Sequence, residues 1–244
     1  MWTVAEYQPT AFFSLRPHTA TTSGGKSLIV PTPFAMKMAL LDVAIRTQGL
    51  AQGQVLFPVI RDLQVAVLLP RRIVVNNTFI KILRLKEVKT KASEKEAAIA
   101  HAIEGQQWPF QKTIAFREYV QFGGPLALAF QGMASEELTP LLIQINYLGK
   151  RGGFMQLVRR PETTEELHAR FTVLTEGING AFPLGVLQML DDCGPSLTFD
   201  KANVFESSRK SQIKVGKDRV FHHVVLPCRP VRASRGFTLY ERLE

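Results

Sequence analysis

The feature that most constrains this chain is the helix signal that begins at Thr32. Thr32 can cap a helix through its hydroxyl, and Pro33 suits the first helical position, where a missing N–H leaves no bond unmade. Phe34, Met38, Leu41 and Ile45 then recur at helical spacing. They predict an apolar stripe that ends near Gly49, with Lys37 and Arg46 off the buried face. A helix placed early in the chain must pack that stripe on something, and β-rich segments lie on both sides of it.

Residues 10–15 (TAFFSL) read as the strand before the helix, and residues 62–69 (DLQVAVLL), continued by 72–75, as the strand after it. Residues 113–122 (TIAFREYVQF) and 125–130 (PLALAF) read as two strands joined by a hairpin turn at Gly123-Gly124. Ser135 can cap a second helix over 136–146, with Glu136 and Glu137 well placed in its first turn and Pro140 as a distortion. Residues 154–158 read as the next strand. The order strand, helix, strand, strand, helix, strand predicts an α/β (α+β) chain built on an RRM-like, ferredoxin-like βαββαβ domain. That domain is expected over residues 1–160, with a basic arm inserted at about 76–110 and a smaller β-rich extension over 161–244. In the extension, 171–174 reads as a strand and 186–190 as a short helix or strand. Residues 219–226 (RVFHHVVL) and 236–240 read as a closing β pair.

Function is narrowed by charge. The 244 residues carry 30 Lys and Arg against 21 Asp and Glu, a net +9, while 45% hydrophobic content suffices for a real core. Such an excess suits a polyanion, whose condensed counterions are released by Lys and Arg. Cys193 and Cys228 are far apart and form no metal-binding pair, so they read as buried thiols of a reducing compartment. The N-terminus lacks the charged start and apolar run of a signal peptide, and no apolar run reaches membrane-spanning length. A cytoplasmic protein without a membrane partner is expected.

Two loops hold the candidate contacts. Residues 16–27 (RPHTATTSGGKS) are polar and carry Arg16, His18 and Lys26. The ending resembles a phosphate-binding P-loop, but Pro31 and Pro33 follow where a helix should begin at once, and no strand directly precedes it. A basic loop is the better account. Residues 149–153 (GKRGG) place Lys150 and Arg151 among Gly149, Gly152 and Gly153, in a loop between a helix and a strand. Exposed amides and guanidinium can both donate to phosphate or ribose there, although a helix end with solvated cations explains the same residues. The segment 81–95, with Lys86, Lys89 and Lys91 among glutamates, reads as a solvated arm or helical insertion. Asp191-Asp192 reads as a turn. His222 and His223 are neighbours on a strand and point to opposite sides. Among the aromatics, Phe12, Phe13, Phe116, Tyr119, Phe122, Tyr147 and Phe154 could stack bases, with core packing the alternative.

The segment SGGKSLIVPTPFAMKMALLDVAIR (23–46) resembles the signature of the CRISPR-associated Cas-five family, a branch of the RAMP superfamily. GGPLALAF (123–130), the following helix and INYLGKRGGF (145–154) are similar to that family's strand, second helix and glycine-rich loop. RVFHHVVLPCRP (219–230) and GFTLY (236–240) are similar to its closing strands. The resemblance implies a noncatalytic RNA-binding subunit of a type I interference complex, Cascade. Such a subunit caps the 5′ handle of the CRISPR RNA and docks the large subunit and the first backbone subunit. Target DNA near its recognition motif is a further partner to consider. Carried onto this chain, the handle contacts fall on Arg16, His18, Lys26, Lys37, Gly149, Lys150, Arg151 and Gly152. Lys86, Lys89 and Lys91 correspond to a thumb-like insertion. No cofactor or metal is implied.

Two other readings stand beside it. One is a metal-independent endoribonuclease that processes precursor RNA, with His18 as general base near Tyr7 in sequence. The other is a basic assembly protein without RNA contact.

Overall fold

The computed structural model describes residues 1–18, 20, 25–85, 90–105, 110–150, 152–178, 184–205 and 212–244. The chain runs β1 (Trp2–Pro9), α1 (Pro33–Gln48), α2 (Leu50–Asp62), β2 (Gln64–Leu68) and β3 (Arg72–Leu85). A short 3-10 turn then leads into α3 (Lys95–Glu104), followed by β4 (Phe110–Phe122), β5 (Leu126–Gln131), α4 (Ser135–Ile143) and β6 (Met155–Leu157). The remainder comprises β7 (Glu162–Thr164), β8 (Thr172–Val173), β9 (Val186–Cys193), α5 (Phe199–Ala202), β10 (Arg219–Leu226), β11 (Cys228–Ala233) and β12 (Phe237–Arg242).

The first sheet has the order β6-β1-β5-β2-β8, antiparallel at each pairing, with β7 also paired to β1. In terms of the βαββαβ unit, β1, β2, β5 and β6 are strands one to four in the order four-one-three-two. That is the ferredoxin-like arrangement. The helices lie on one face, where Met36, Leu40, Phe57, Ile60, Leu138 and Leu142 join Tyr7, Val65, Leu128 and Phe130 in a single core. Tyr7 donates its hydroxyl proton to the Leu142 carbonyl at 2.7 Å, tying β1 to α4.

The insertion is a long ribbon. β3 and β4 pair from Ile73↔Phe122 to Leu85↔Phe110. β12 and β11 extend that ribbon into a second sheet of order β11-β12-β3-β4, so the C-terminal strands complete a sheet begun by the insertion. β9 and β10 form a separate pair that packs on α1.

Several expectations are corrected. The first strand is Trp2–Pro9, not 10–15; Thr3, Ala5 and Tyr7 alternate inward, but the small first two hide the period. Residues 10–15 instead cross to β4, where Phe13 bridges Val120. Gly123-Gly124 is a crossing between sheets and no hairpin turn: β4 pairs β3, while β5 pairs β1 and β2. A Cβ on Gly123 would lie 2.9 Å from the Arg72 carbonyl oxygen. The stretch after Gly49 is a second helix, since Gly49 at φ 91° ends α1 and starts α2. The arm is neither fully solvated nor simply helical, because its stems are the β3–β4 ribbon. α4 begins at Ser135 with Ala134 as its cap, so Ser135 supplies no capping bond, and Pro140 lies inside the helix. Asp191 and Asp192 lie on β9 rather than in a turn. β10 and β12 belong to different sheets and do not close as a pair.

Candidate nucleic-acid interface

The polar loop is closed at its base by a bridge between Leu15 and Leu28, with Leu28 N–H donating to Leu15 O at 2.8 Å. Both stems dock on β4. Phe13 exchanges backbone bonds with Val120 at 2.9 and 2.7 Å, and Glu118 N–H donates to Gly25 O at 2.7 Å. The Ser27 N–H donates to the Glu118 carboxylate at 2.8 Å, and the Ser27 hydroxyl accepts from Leu15 N–H at 3.0 Å. A glycine is required at 25: a Cβ there would stand 1.7 Å from the Phe116 carbonyl oxygen. This packing, rather than a phosphate cradle, is what the glycine serves. Residues 19 and 21–24 of the loop lie outside the described residues.

The glycine-rich loop meets the same base. Tyr147 and Phe154 bridge its ends, Leu148 N–H donates to Gly153 O at 3.0 Å, and Gly153 N–H donates to Lys150 O at 3.0 Å. Gly149 (φ 80°) and Gly152 (φ 100°) occupy the left-handed region that favours glycine. Gly149 also lies so near Leu15 that a Cβ would fall 2.9 Å from its Cδ1. The two predicted loops are therefore neighbours, brought together by Leu15.

Cations gather around that junction. Lys26 is 78% exposed and 3.8 Å from Glu118. Lys150 is exposed, and desolvation followed by the Arg117 guanidinium of β4 lowers its pKa. An anion bound beside Lys150 would favour its charged form. Arg16 bonds to the Ala20 carbonyl at 3.3 Å and lines, with Tyr147, Gly149 and Phe34, a cavity of about 370 Å³. Arg219 spans that cavity wall, bonded to Asp191 and 4.5 Å above the Phe34 ring. Exposed rings stand beside the loops: Phe154 is 51% exposed and Phe12 is 56% exposed, the latter 6.3 Å from Tyr119. Phe13 and Phe122 belong to the core.

The other expected residues are distributed differently. Lys37 is corrected: it is 2% exposed, 2.7 Å from Asp192, and donates to the Arg61 carbonyl at 2.8 Å. It points inward because the β9–β10 pair covers the helix face that the apolar stripe marked as outer. Lys37 thus serves the fold. His18 stacks on Phe221 at 5.1 Å, while Tyr7 is wholly buried, so these two do not meet as an acid–base pair. His222 and His223 are on strand β10. Lys91 is exposed at the start of the 3-10 turn, remote from the loops in the chain. Lys86, Lys89 and Arg151 lie outside the described residues. Arg117 was missed by the sequence reading, although the mixed sign of FREY within a strand could have drawn notice. Among the described residues no group of three or more His, Cys, Asp or Glu could hold a metal. No described helix is long and apolar enough to cross a membrane.

No family model matches the chain. It is 33% identical over 113 residues to the CRISPR-associated protein Cas5 of Archaeoglobus fulgidus, a match that covers 46% of this chain and 43% of that protein. The chain thus spans less than half the length of this curated relative. The likeness agrees with the resemblance carried by the sequence segments above. A crystal structure of a CRISPR protein from Archaeoglobus fulgidus aligns over 100% of this chain and 92% of its own, at 11% identity and a TM-score of 0.41. That last likeness is too distant to bear on the site.

Proposed function

We propose that this relative of Cas5 is a noncatalytic RNA-binding subunit of a type I CRISPR interference complex, and that its two joined loops grip the 5′ handle of the guide RNA. The observation that carries this reading is the contact of Gly149 with Leu15, which sets Lys150, Arg117, Arg16 and Lys26 about one junction. Loop amides and cations there suit phosphates, and the exposed rings of Phe12 and Phe154 suit splayed bases. Docking to a large subunit and to the first backbone subunit belongs to the same proposal.

Among the described residues the ring neighbour of His18 is Phe221, which offers no proton donor or acceptor. General acid–base cleavage needs a positioned partner within hydrogen-bond reach. The reading is tested by co-expression with neighbouring genes, affinity purification and sequencing of the bound RNA. A discrete RNA with a constant 5′ end in a multi-subunit particle supports it, and a solitary protein free of RNA contradicts it.

A further inference from the structure

One residue of the loop junction is out of keeping with its surroundings. Glu118 lies on the face of β4 that also carries Val120 and Phe122, both buried in the core, and is itself only 8% exposed. A carboxylate on such a face is costly unless its oxygens are bonded. It also works against a polyanion, because its charge repels phosphate. Neither core packing nor the basic character of the junction accounts for it.

Glu118 holds the polar loop. Three successive loop residues meet it: Gly25 O accepts the Glu118 N–H at 2.7 Å, Lys26 Nζ lies 3.8 Å from Oε1, and the Ser27 N–H donates to Oε2 at 2.8 Å. The contacts run on into the glycine-rich loop. The Ser27 hydroxyl accepts the Leu15 N–H at 3.0 Å and donates to Leu28 O at 2.9 Å. Leu15 Cδ1 is in turn the atom that a Cβ on Gly149 would meet at 2.9 Å. An unbroken chain of contacts thus runs from Glu118 to Lys26 on one side and to the backbone beside Lys150 on the other. Lys26 stays within reach of a ligand, since its side chain is 78% exposed and an ammonium has three donors.

We propose that Glu118 is the positioning residue of the junction: the reach of its carboxylate, not its charge, fixes residues 25–27 so that Lys26 and Lys150 meet one stretch of RNA backbone. The proposal rests on the reading that the junction takes RNA. It separates two properties of one side chain, and two conservative variants vary them one at a time. Glu118→Asp keeps the charge and withdraws the oxygens from Ser27 by one methylene. Glu118→Gln drops the charge and keeps a carbonyl oxygen for the Ser27 N–H.

The test follows a labelled single-stranded RNA of CRISPR repeat sequence binding to the full chain, by fluorescence anisotropy, in variants with a native circular dichroism spectrum. Glu118→Asp is expected to weaken binding about tenfold. Glu118→Gln is expected to bind at least as tightly as the unaltered chain. Simple charge repulsion predicts no loss for the aspartate. In a background of Lys26→Ala with Lys150→Ala, the aspartate loss should all but vanish, because there is no cation left to position. An aspartate variant that binds like the unaltered chain overturns the proposal. So does a glutamine variant that loses as much as the aspartate, or an aspartate loss that persists in full without the two lysines. The lysine pair alone tests the underlying reading. If its removal leaves affinity unchanged, the junction is not the RNA site and the proposal falls with it. If its removal costs affinity while Glu118→Asp does not, only the proposal falls.

Discussion

Lys37 Nζ lies 2.7 Å from Asp192 Oδ1, and the two side chains are only 2% and 6% exposed, so a buried ion pair locks α1 to β9. The lysine keeps a second partner in the Arg61 carbonyl, and the Asp192 carboxylate also accepts the Cys193 N–H. Removing one partner leaves the other charge buried alone, the costlier of the two ways to break such a pair. Asp192→Ala is expected to lose about 3–5 kcal/mol in urea unfolding. Lys37→Met combined with Asp192→Asn should recover most of that loss, since no unpaired charge remains.

Gly25, Gly149 and Gly152 differ in what a methyl group would meet, and the stabilities of their alanine variants should rank accordingly. Gly25→Ala drives a Cβ to 1.7 Å from the Phe116 carbonyl oxygen, a clash with backbone that only a shift of the loop relieves. Gly149→Ala meets a flexible Leu15 side chain at 2.9 Å and a left-handed φ of 80°. Gly152→Ala meets no atom within 4 Å and bears its φ of 100° alone, about 1 kcal/mol. Thermal unfolding should give the order 25, then 149, then 152, from most to least destabilised.

Asp218 sets part of the acid limit. Both its carboxylate oxygens lie 2.8 Å from Lys201 Nζ, and one accepts the Lys214 N–H at 2.8 Å. The Lys201 bond first, and the Lys214 amide second, hold its pKa below the usual carboxylate value. The folded pKa is thus lower than the unfolded one. Its stabilisation is present above the ordinary carboxylate range, near pH 4, and is lost as pH falls through the folded value. Asp218→Asn should flatten the acid limb of a stability–pH curve and leave the neutral limb with the same slope.

The two thiols should be silent in the native state. Burial pushes Cys193 up to about 12 and Cys228 up to about 11. Thiolate, the reactive form, is then scarce at pH 8. A chromogenic disulfide reagent should titrate no thiol in the folded protein and two after denaturation.

Much of the core fold was legible in local signals. Thr32-Pro33 marks the start of α1, and the Thr32 hydroxyl does accept from Ala35 N–H at 3.2 Å. The βαββαβ order survives although its first strand was misplaced, because the second helix and the flanking strands have strong patterns. What stayed hidden is long-range. Nothing near Lys37 in the chain announces Asp192, which arrives from β9, more than 150 residues on. The glycine pair at 123–124 looks like a hairpin turn until the sheets on its two sides are known to differ. At the interface, both loops were visible as basic, glycine-bearing segments, but their meeting at Leu15 is a product of tertiary packing.

The loop junction carries the account, and photochemical cross-linking reads it most directly. The protein would be bound to a guide RNA bearing photoreactive nucleotides in its 5′ handle, irradiated and digested, and the linked peptides identified by mass spectrometry. The account predicts links from handle nucleotides to peptides spanning residues 12–27 and 147–154, reduced together by Lys26→Ala with Lys150→Ala. Handle links that fall wholly outside those peptides, or survive that variant undiminished, would contradict it.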